Sequence, residues 1–254
     1  MIRITKHALY DILRNRFVLF YAVFLMIITF SLFSLDSDPG KAILSLLNIV
    51  LMVVPLVSII FTTIYFFNSY EFIELLLSQP IDRKVIFFSE FLAISIALSA
   101  AYLVGVGLPV LLLGGQGALY MLVSGLLLTW VFVSLAFAAS VSTRDKARGI
   151  GMSLLFWFYF SLIYDGLILY LIYSFSDYPM EKLTLALISL NPVDLARIVI
   201  LLKLDISALM GYTGAFLKNF FGTGLGIGYS MSLLVAWSLI PLLYALRKFL
   251  RKDI

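Results

Sequence analysis

Cysteine is absent from all 254 residues, which excludes a disulfide, a thiolate nucleophile and any cysteine-based metal site. Histidine occurs once, as His7, outside every long apolar run, so no Ser–His catalytic pair can form inside the apolar body of the chain. Charge is scarce too: 13% of residues are Asp, Glu, Lys or Arg, against 63% hydrophobic. Mean hydropathy is +1.09, far above that of a soluble domain. No glycine-rich loop ending in Gly-Lys-Ser/Thr occurs. The closest string, GTGLGIG from Gly222 to Gly228, lacks the lysine and opens an apolar run. Its glycine pairs at i,i+4, Gly222/Gly226 and Gly224/Gly228, suit close helix packing instead. Any nucleotide hydrolysis must come from a partner chain. The net charge of +4 carries no stripe of Lys and Arg interleaved with aromatics, so it gives no sign of nucleic-acid binding.

What the chain has is length in its apolar runs. Six stretches, at about 17–35, 43–67, 86–113, 118–141, 150–175 and 223–246, are long enough to cross a hydrocarbon core of about 30 Å as helices. The expected fold is an all-α polytopic membrane protein, a single transmembrane domain over 1–254 with six transmembrane helices. Basic residues collect in alternate gaps. Arg3, Lys6, Arg14 and Arg16 precede the first span, and Arg83 and Lys84 lie between the second and third. Arg144, Lys146 and Arg148 lie between the fourth and fifth, and Arg247, Lys248, Arg251 and Lys252 follow the sixth. The opposite gaps hold Lys41, Lys182, Arg197, Lys203 and Lys218, four of them in one long loop. The positive-inside rule then puts both termini in the cytoplasm. The first run is too long for a signal-peptide core and no small-residue cleavage pattern follows it, so no cleavable signal is expected.

Residues 1–16 read as an amphipathic elbow helix on the inner surface. Ile2, Leu9, Ile12 and Leu13 fall on one face and Arg3, Lys6, Tyr10 and Arg14 on the other. Asp36, Asp38, Pro39 and Gly40 break the chain after the first span. Pro55 sits inside the second, where it removes a backbone donor and can kink the helix. Residues 69–79 form a second amphipathic segment, with Glu71, Glu74 and Gln79 beside Leu75, Leu76 and Leu77, ended by Pro80. Gly114, Gly115, Gln116 and Gly117 make a tight hairpin, and Ser142 to Gly149 a compact charged turn. Residues 176–222 are the anomaly: an external loop too apolar to be a solvated linker and too broken to hold a span. Short helices dipping into the outer leaflet, or capping a vestibule, are expected there.

Asp165 is the one carboxylate this reading places deep inside a span, where an unpaired charge costs several kcal/mol. It must face a cavity or be neutral, either as a packing group or on a transport path. No Lys or Arg stands at comparable depth in a span to pair with it, and Ser161, one turn earlier, is the nearest hydrogen-bonding neighbour. Tyr164-Asp165 resembles half of an aspartyl intramembrane protease, but that chemistry needs two carboxylates sharing one site. In the external loop, Pro192 starts a short helix with Asn191 as its cap. Asp194 and Arg197 then lie three apart on one face, set to pair with each other or to contact a partner, with Leu195, Ile198 and Leu202 facing the other way. Met26, Met52, Met121 and Met231 are scattered, and with no Cys and no membrane His the chain offers poor ligands for copper(I). No metal site or resident cofactor is expected in it.

The elbow helix, the six spans, the acidic segment ending LLLSQPIDR and the long structured loop before the last span together resemble an ABC-2 type permease. That resemblance implies a coupling helix at about Ser69 through Gln79, where Glu71, Glu74, Leu75 and Leu76 would dock on a cytoplasmic ATPase subunit carrying ATP and Mg. It also implies a second copy of the chain as partner. A narrower resemblance lies in DKARG (Asp145 to Gly149), Tyr164 to Gly166, and LNPVDLARIVILLKLDISALMGYTGA (Leu190 to Ala215). These strings are similar to the Nos-type permeases that serve maturation of nitrous-oxide reductase. The likeness implies a periplasmic repeat-protein partner and a sulfur-containing cargo for a copper–sulfide centre. Asn191, Pro192, Asp194 and Arg197 would then hold the periplasmic partner or form a gate, with Asp165 and Ser161 on the path. Two other readings stay open: an ABC-2 exporter of a drug, lipid or polysaccharide, and a membrane anchor that transports nothing.

Overall fold

The structure is a computed structural model that describes residues 2–36, 38–115, 117–175, 181–203 and 224–251. Those residues are helical throughout apart from short connections, with no strand among them. Six helices are long and apolar enough to cross a membrane: Arg16–Leu35, Pro39–Asn68, Arg83–Leu113, Ala118–Ser142, Lys146–Leu171 and Gly226–Arg251, here spans one to six. All six lie where the apolar runs put them, with ends displaced by local chemistry. Span two starts early because Asp38 caps it, accepting from the Gly40 N–H at 2.9 Å, with Pro39 at its first position. Span six runs past the apolar run and carries Lys248 and Arg251 in its last turn, where cations suit the carbonyl end of a helix.

Span four is the axis of the bundle, 78% buried, and spans two, three and six pack around it. At the basic end Phe137 of span four meets Phe66 of span two and Phe87 and Phe91 of span three, with centroids 5.4–5.6 Å apart and rings edge to face. Phe249 of span six stacks at a tilt on Phe87. Toward the other end, Tyr102 of span three donates to the Met121 carbonyl at 2.9 Å, a bond that Gly125 makes possible by lacking a side chain under the ring. Span three widens into a π turn at Leu103–Gly107, and there span one comes close. A Cβ on Gly105 would stand 2.7 Å from the Ala22 carbonyl oxygen, so only glycine permits that approach.

The N-terminal helix spans Ile2–Leu13 and packs against span three, covering Ala8 and Ile12. The expected apolar face is shifted: Leu13 is exposed and Ala8 takes its place, because the helix lies on protein and its buried stripe follows i, i+4 from Ile4. The acidic segment forms a helix at Tyr70–Leu77 that continues directly from span two through Ser69. Of the 176–222 loop, two helices are described, Glu181–Ser189 and Pro192–Lys203, bent by 112° at their junction. Residues 176–180 and 204–222, with Lys218 and Gly222, lie outside the described residues, so the Gly222/Gly226 pairing does too. The sequence reading found no run there that could span. Leu183–Ser189 and Pro192–Leu201 together are apolar enough to form one broken span or a re-entrant loop.

Candidate functional site

Span five carries the site and is the least enclosed of the six, 11% buried. Polar ties hold it where packing does not. Asp145 caps it by accepting from the Arg148 N–H at 2.8 Å, and Lys146 donates to the Asn68 side chain, at the foot of span two, at 2.7 Å. The Thr63 and Ser153 hydroxyls lie 2.7 Å apart, and the Trp157 indole donates to the Met52 carbonyl at 3.2 Å. Farther along, Tyr159–Ile163 adopts a π turn, a widening that recurs at functional sites in membrane helices and elsewhere.

The bent helix pair docks on that turn. Asn191 caps its second helix, Oδ1 accepting from the Val193 N–H at 3.0 Å. Its amide nitrogen donates both to the Phe160 carbonyl inside the π turn, 3.0 Å, and to Asp194 Oδ2, 2.9 Å. Arg197 Nη1 then bridges two carboxylates, Asp194 Oδ1 at 2.9 Å and Asp165 Oδ2 at 2.8 Å. Further ties flank the cluster: the Tyr164 hydroxyl donates to the Leu187 carbonyl at 2.7 Å, and the Trp237 indole to the Ser189 carbonyl at 3.3 Å. Phe160 meets Trp237 edge to face at 5.3 Å. Asn191 is fully buried and the Asp194 side chain nearly so, whereas Arg197 and Asp165 each keep 30% of their side-chain surface.

This geometry corrects the expectation that Asp165 has no basic partner. Its partner comes from the loop helix, because the bent pair folds back to the depth of the π turn. Counting only residues within spans hid it. Ser161 is a second correction: its hydroxyl is buried without a partner and makes no bond to Asp165. The remaining oxygen of Asp165, Oδ1, is also buried and unpartnered. Asn191, Asp194, Arg197 and Asp165 are thus brought together, while Pro192 serves the backbone as first residue of its helix. With every group ionised, two carboxylates face one guanidinium, so the cluster holds one more negative charge than positive. Trp237 was not singled out from the sequence, and Tyr164 only as part of a string and not as a tie to the bent pair, though both are aromatic residues with a polar tip. It also placed Asp165 alone among carboxylates inside a span. Glu90 of span three is 3% exposed with Oε1 unpartnered, and the acid standing within KVIFFSEFLAIS was the available signal.

At the basic end, Tyr70–Leu77 divides its residues. Glu71, Glu74 and Leu75 face outward, Leu75 with 65% of its surface exposed, and Phe72 joins them. Leu76 does not: it packs inward beside Ile73. The outward face is therefore Glu71, Phe72, Glu74 and Leu75. Among the described residues no group of three or more His, Cys, Asp and Glu side chains is placed to hold a metal ion.

Six spans, two amphipathic helices on the basic side and a polar cluster docked against a π turn define a polytopic α-helical membrane protein. The chain belongs to the ABC-2 transporter family, whose sequence pattern it matches over residues 2–254. It is similar to the probable ABC transporter permease protein NosY of Pseudomonas aeruginosa, 32% identical over 150 residues, 54% of each chain. It is also similar to the probable NosY permease of Stutzerimonas stutzeri, 25% identical over 218 residues, 77% of this chain and 79% of that one. The matched part thus spans about half the length of the first relative and about four-fifths of the second.

Proposed function

We propose that the chain is the permease subunit of an ATP-driven transporter in the bacterial inner membrane, with both termini cytoplasmic. Two copies pair with each other and with two cytoplasmic ATPase subunits, NosF-like, which carry the ATP and Mg. The outward face of Tyr70–Leu77 supports the ATPase contact, since it offers Phe72 and Leu75 between two carboxylates at the foot of span two. Spans one and five, 22% and 11% buried, supply apolar flank for a second copy.

The cargo is a sulfur-containing species for the copper–sulfide centre of nitrous-oxide reductase, received by a periplasmic repeat protein, NosD-like. Similarity to two NosY permeases supports this reading, and the chain's poor copper ligands favour sulfur over copper. The observation that carries it is the Asp165–Arg197–Asp194 cluster, charged groups held at the junction of span five and the bent pair. Charge at such a place is costly unless used. The cluster acts as the outer gate: Arg197 keeps donors that an anionic sulfur species can take, and its two carboxylates compete for the same cation. Asp165→Asn tests this. It leaves Arg197 paired with Asp194, so the fold and the ATPase complex persist, while nitrous-oxide reductase should lose the absorption of its copper–sulfide centre. Normal maturation with Asp165→Asn would remove the gate. Intact maturation without the whole chain would point to another cargo.

A further inference from the structure

Spans five and six both pack on span four, and on the basic side a cleft of about 590 Å³ opens between them. Its chemistry is sorted along its length. Met152 and Phe156 of span five and Pro241 of span six line the deep part, while Ser142, Tyr244 and Lys248 stand at the basic end. The Phe160–Trp237 contact lies above it, at the level where the bent pair docks. Trp237 and Lys248 are separated by about 16 Å of helix at 1.5 Å per residue. The lining on span six, Ile240 to Lys248, covers about 12 Å of that helix, most of the roughly 15 Å of one leaflet.

Lys248 has no carboxylate within ion-pair distance among the described residues. Its ammonium lies 3.4 Å from the Tyr244 hydroxyl and 5.7 Å from the ring centre. The Ser142 hydroxyl donates to the Ala138 carbonyl at 2.6 Å and is in hydrogen-bond contact with Tyr244, which leaves the ammonium protons of Lys248 not used on Tyr244 as donors at the mouth. An apolar groove ending in an unmatched cation at the depth of a lipid headgroup has the complement of an anionic amphiphile.

We propose that this cleft binds an anionic phospholipid of the leaflet on the basic side, an acyl chain lying between Met152, Phe156 and Pro241 and the phosphate on Lys248, which Tyr244 holds at the mouth. A zwitterionic headgroup would set its own ammonium against Lys248, and the apolar flank of a second copy would leave that charge unmatched. The inference rests on the proposed orientation only in making that leaflet the cytoplasmic one, and its test involves neither cargo nor ATPase.

The full chain, purified in detergent, is titrated with phosphatidylglycerol or phosphatidylcholine and the retained lipid counted by native mass spectrometry. One phosphatidylglycerol per chain should be held about fivefold more tightly than phosphatidylcholine, the factor that one lysine beside an anionic lipid contributes. Lys248→Ala should erase that preference and Lys248→Arg should keep it. Met152→Trp, which fills the groove, should release the lipid. Glycerol phosphate, the headgroup without chains, should not displace it. Equal retention of the two lipids, or an unchanged preference in Lys248→Ala, would overturn the proposal. So would displacement by glycerol phosphate, which would mark a plain phosphate site. Met152→Trp separating two copies while lipid retention stays unchanged would make the cleft an interface between chains.

Discussion

Arg197 is the residue on which the site turns, because one nitrogen holds carboxylates from two separate elements. Removing it leaves Asp165 and Asp194 facing each other across the docking surface without their shared cation. A fully buried pair broken this way costs about 3–5 kcal/mol, and the loss here is smaller because a third of both Arg197 and Asp165 remains open. Arg197→Ala should therefore lower the thermal midpoint of the detergent-solubilised protein. Adding Asp165→Asn to Arg197→Ala should restore part of the loss, since it removes the repulsion that the first change exposed. Purely additive losses in a thermal-unfolding series would show that Asp165 and Arg197 do not interact. Arg197→Glu gathers three carboxylates and would unseat the bent pair, so it cannot report a partner contact alone. The Asp194–Arg197 pair was legible in the sequence, being three apart on one helix. The Asp165 contact was not, because 32 residues and a change of direction separate it from Arg197.

At the scale of elements, the bent pair, the π turn and the Tyr70–Leu77 helix differ in how far sequence pattern reaches. The cap at Asn191 and the helix start at Pro192 follow from local chemistry, and the sequence shows both. The π turn does not announce itself, since YFSLI has no signature apart from the partner its Phe160 carbonyl finds. Asn191→Ala removes the cap and the tie to Phe160 together, worth about 1–3 kcal/mol by the usual cost of a lost cap or an orphaned buried group. Hydrogen exchange should then rise in Pro192–Lys203 and in Tyr159–Ile163 jointly. Exchange confined to the first would show that the turn is independent of the bent pair. In the Tyr70–Leu77 helix, amphipathic spacing could not tell which of two adjacent leucines faces the core: Leu75 is exposed and Leu76 buried. Phe72→Asp with Leu75→Asp should abolish co-purification of the ATPase subunit while the chain still inserts and folds. Leu76→Asp should damage the fold itself, because it buries a charge beside Ile73. Retention of the ATPase by the Phe72/Leu75 variant would move the contact elsewhere.

The whole molecule was the most legible level: length and hydropathy gave six spans, because a hydrocarbon core sets the length of every helix that crosses it. What they could not give is which spans enclose one another. Span one, 22% buried, is as apolar as span four, 78% buried, so composition does not show that span four is the axis or that span five is only 11% buried. That asymmetry suits a molecule with a fixed axis and a lightly held flank, tied at one end to the foot of span two through Lys146 and at the other to the bent pair through Phe160, Tyr164 and Asp165. Orientation is testable on the same scale. A reporter active only outside the cytoplasm, fused after Ile254, should stay silent, and activity there would invert the arrangement. The most direct test of the account is the mass of the complex formed when the chain is co-expressed with a NosF-like ATPase subunit and purified in detergent. Two copies of each, hydrolysing ATP, is the result expected of a permease subunit, and a chain that elutes without any ATPase would contradict it.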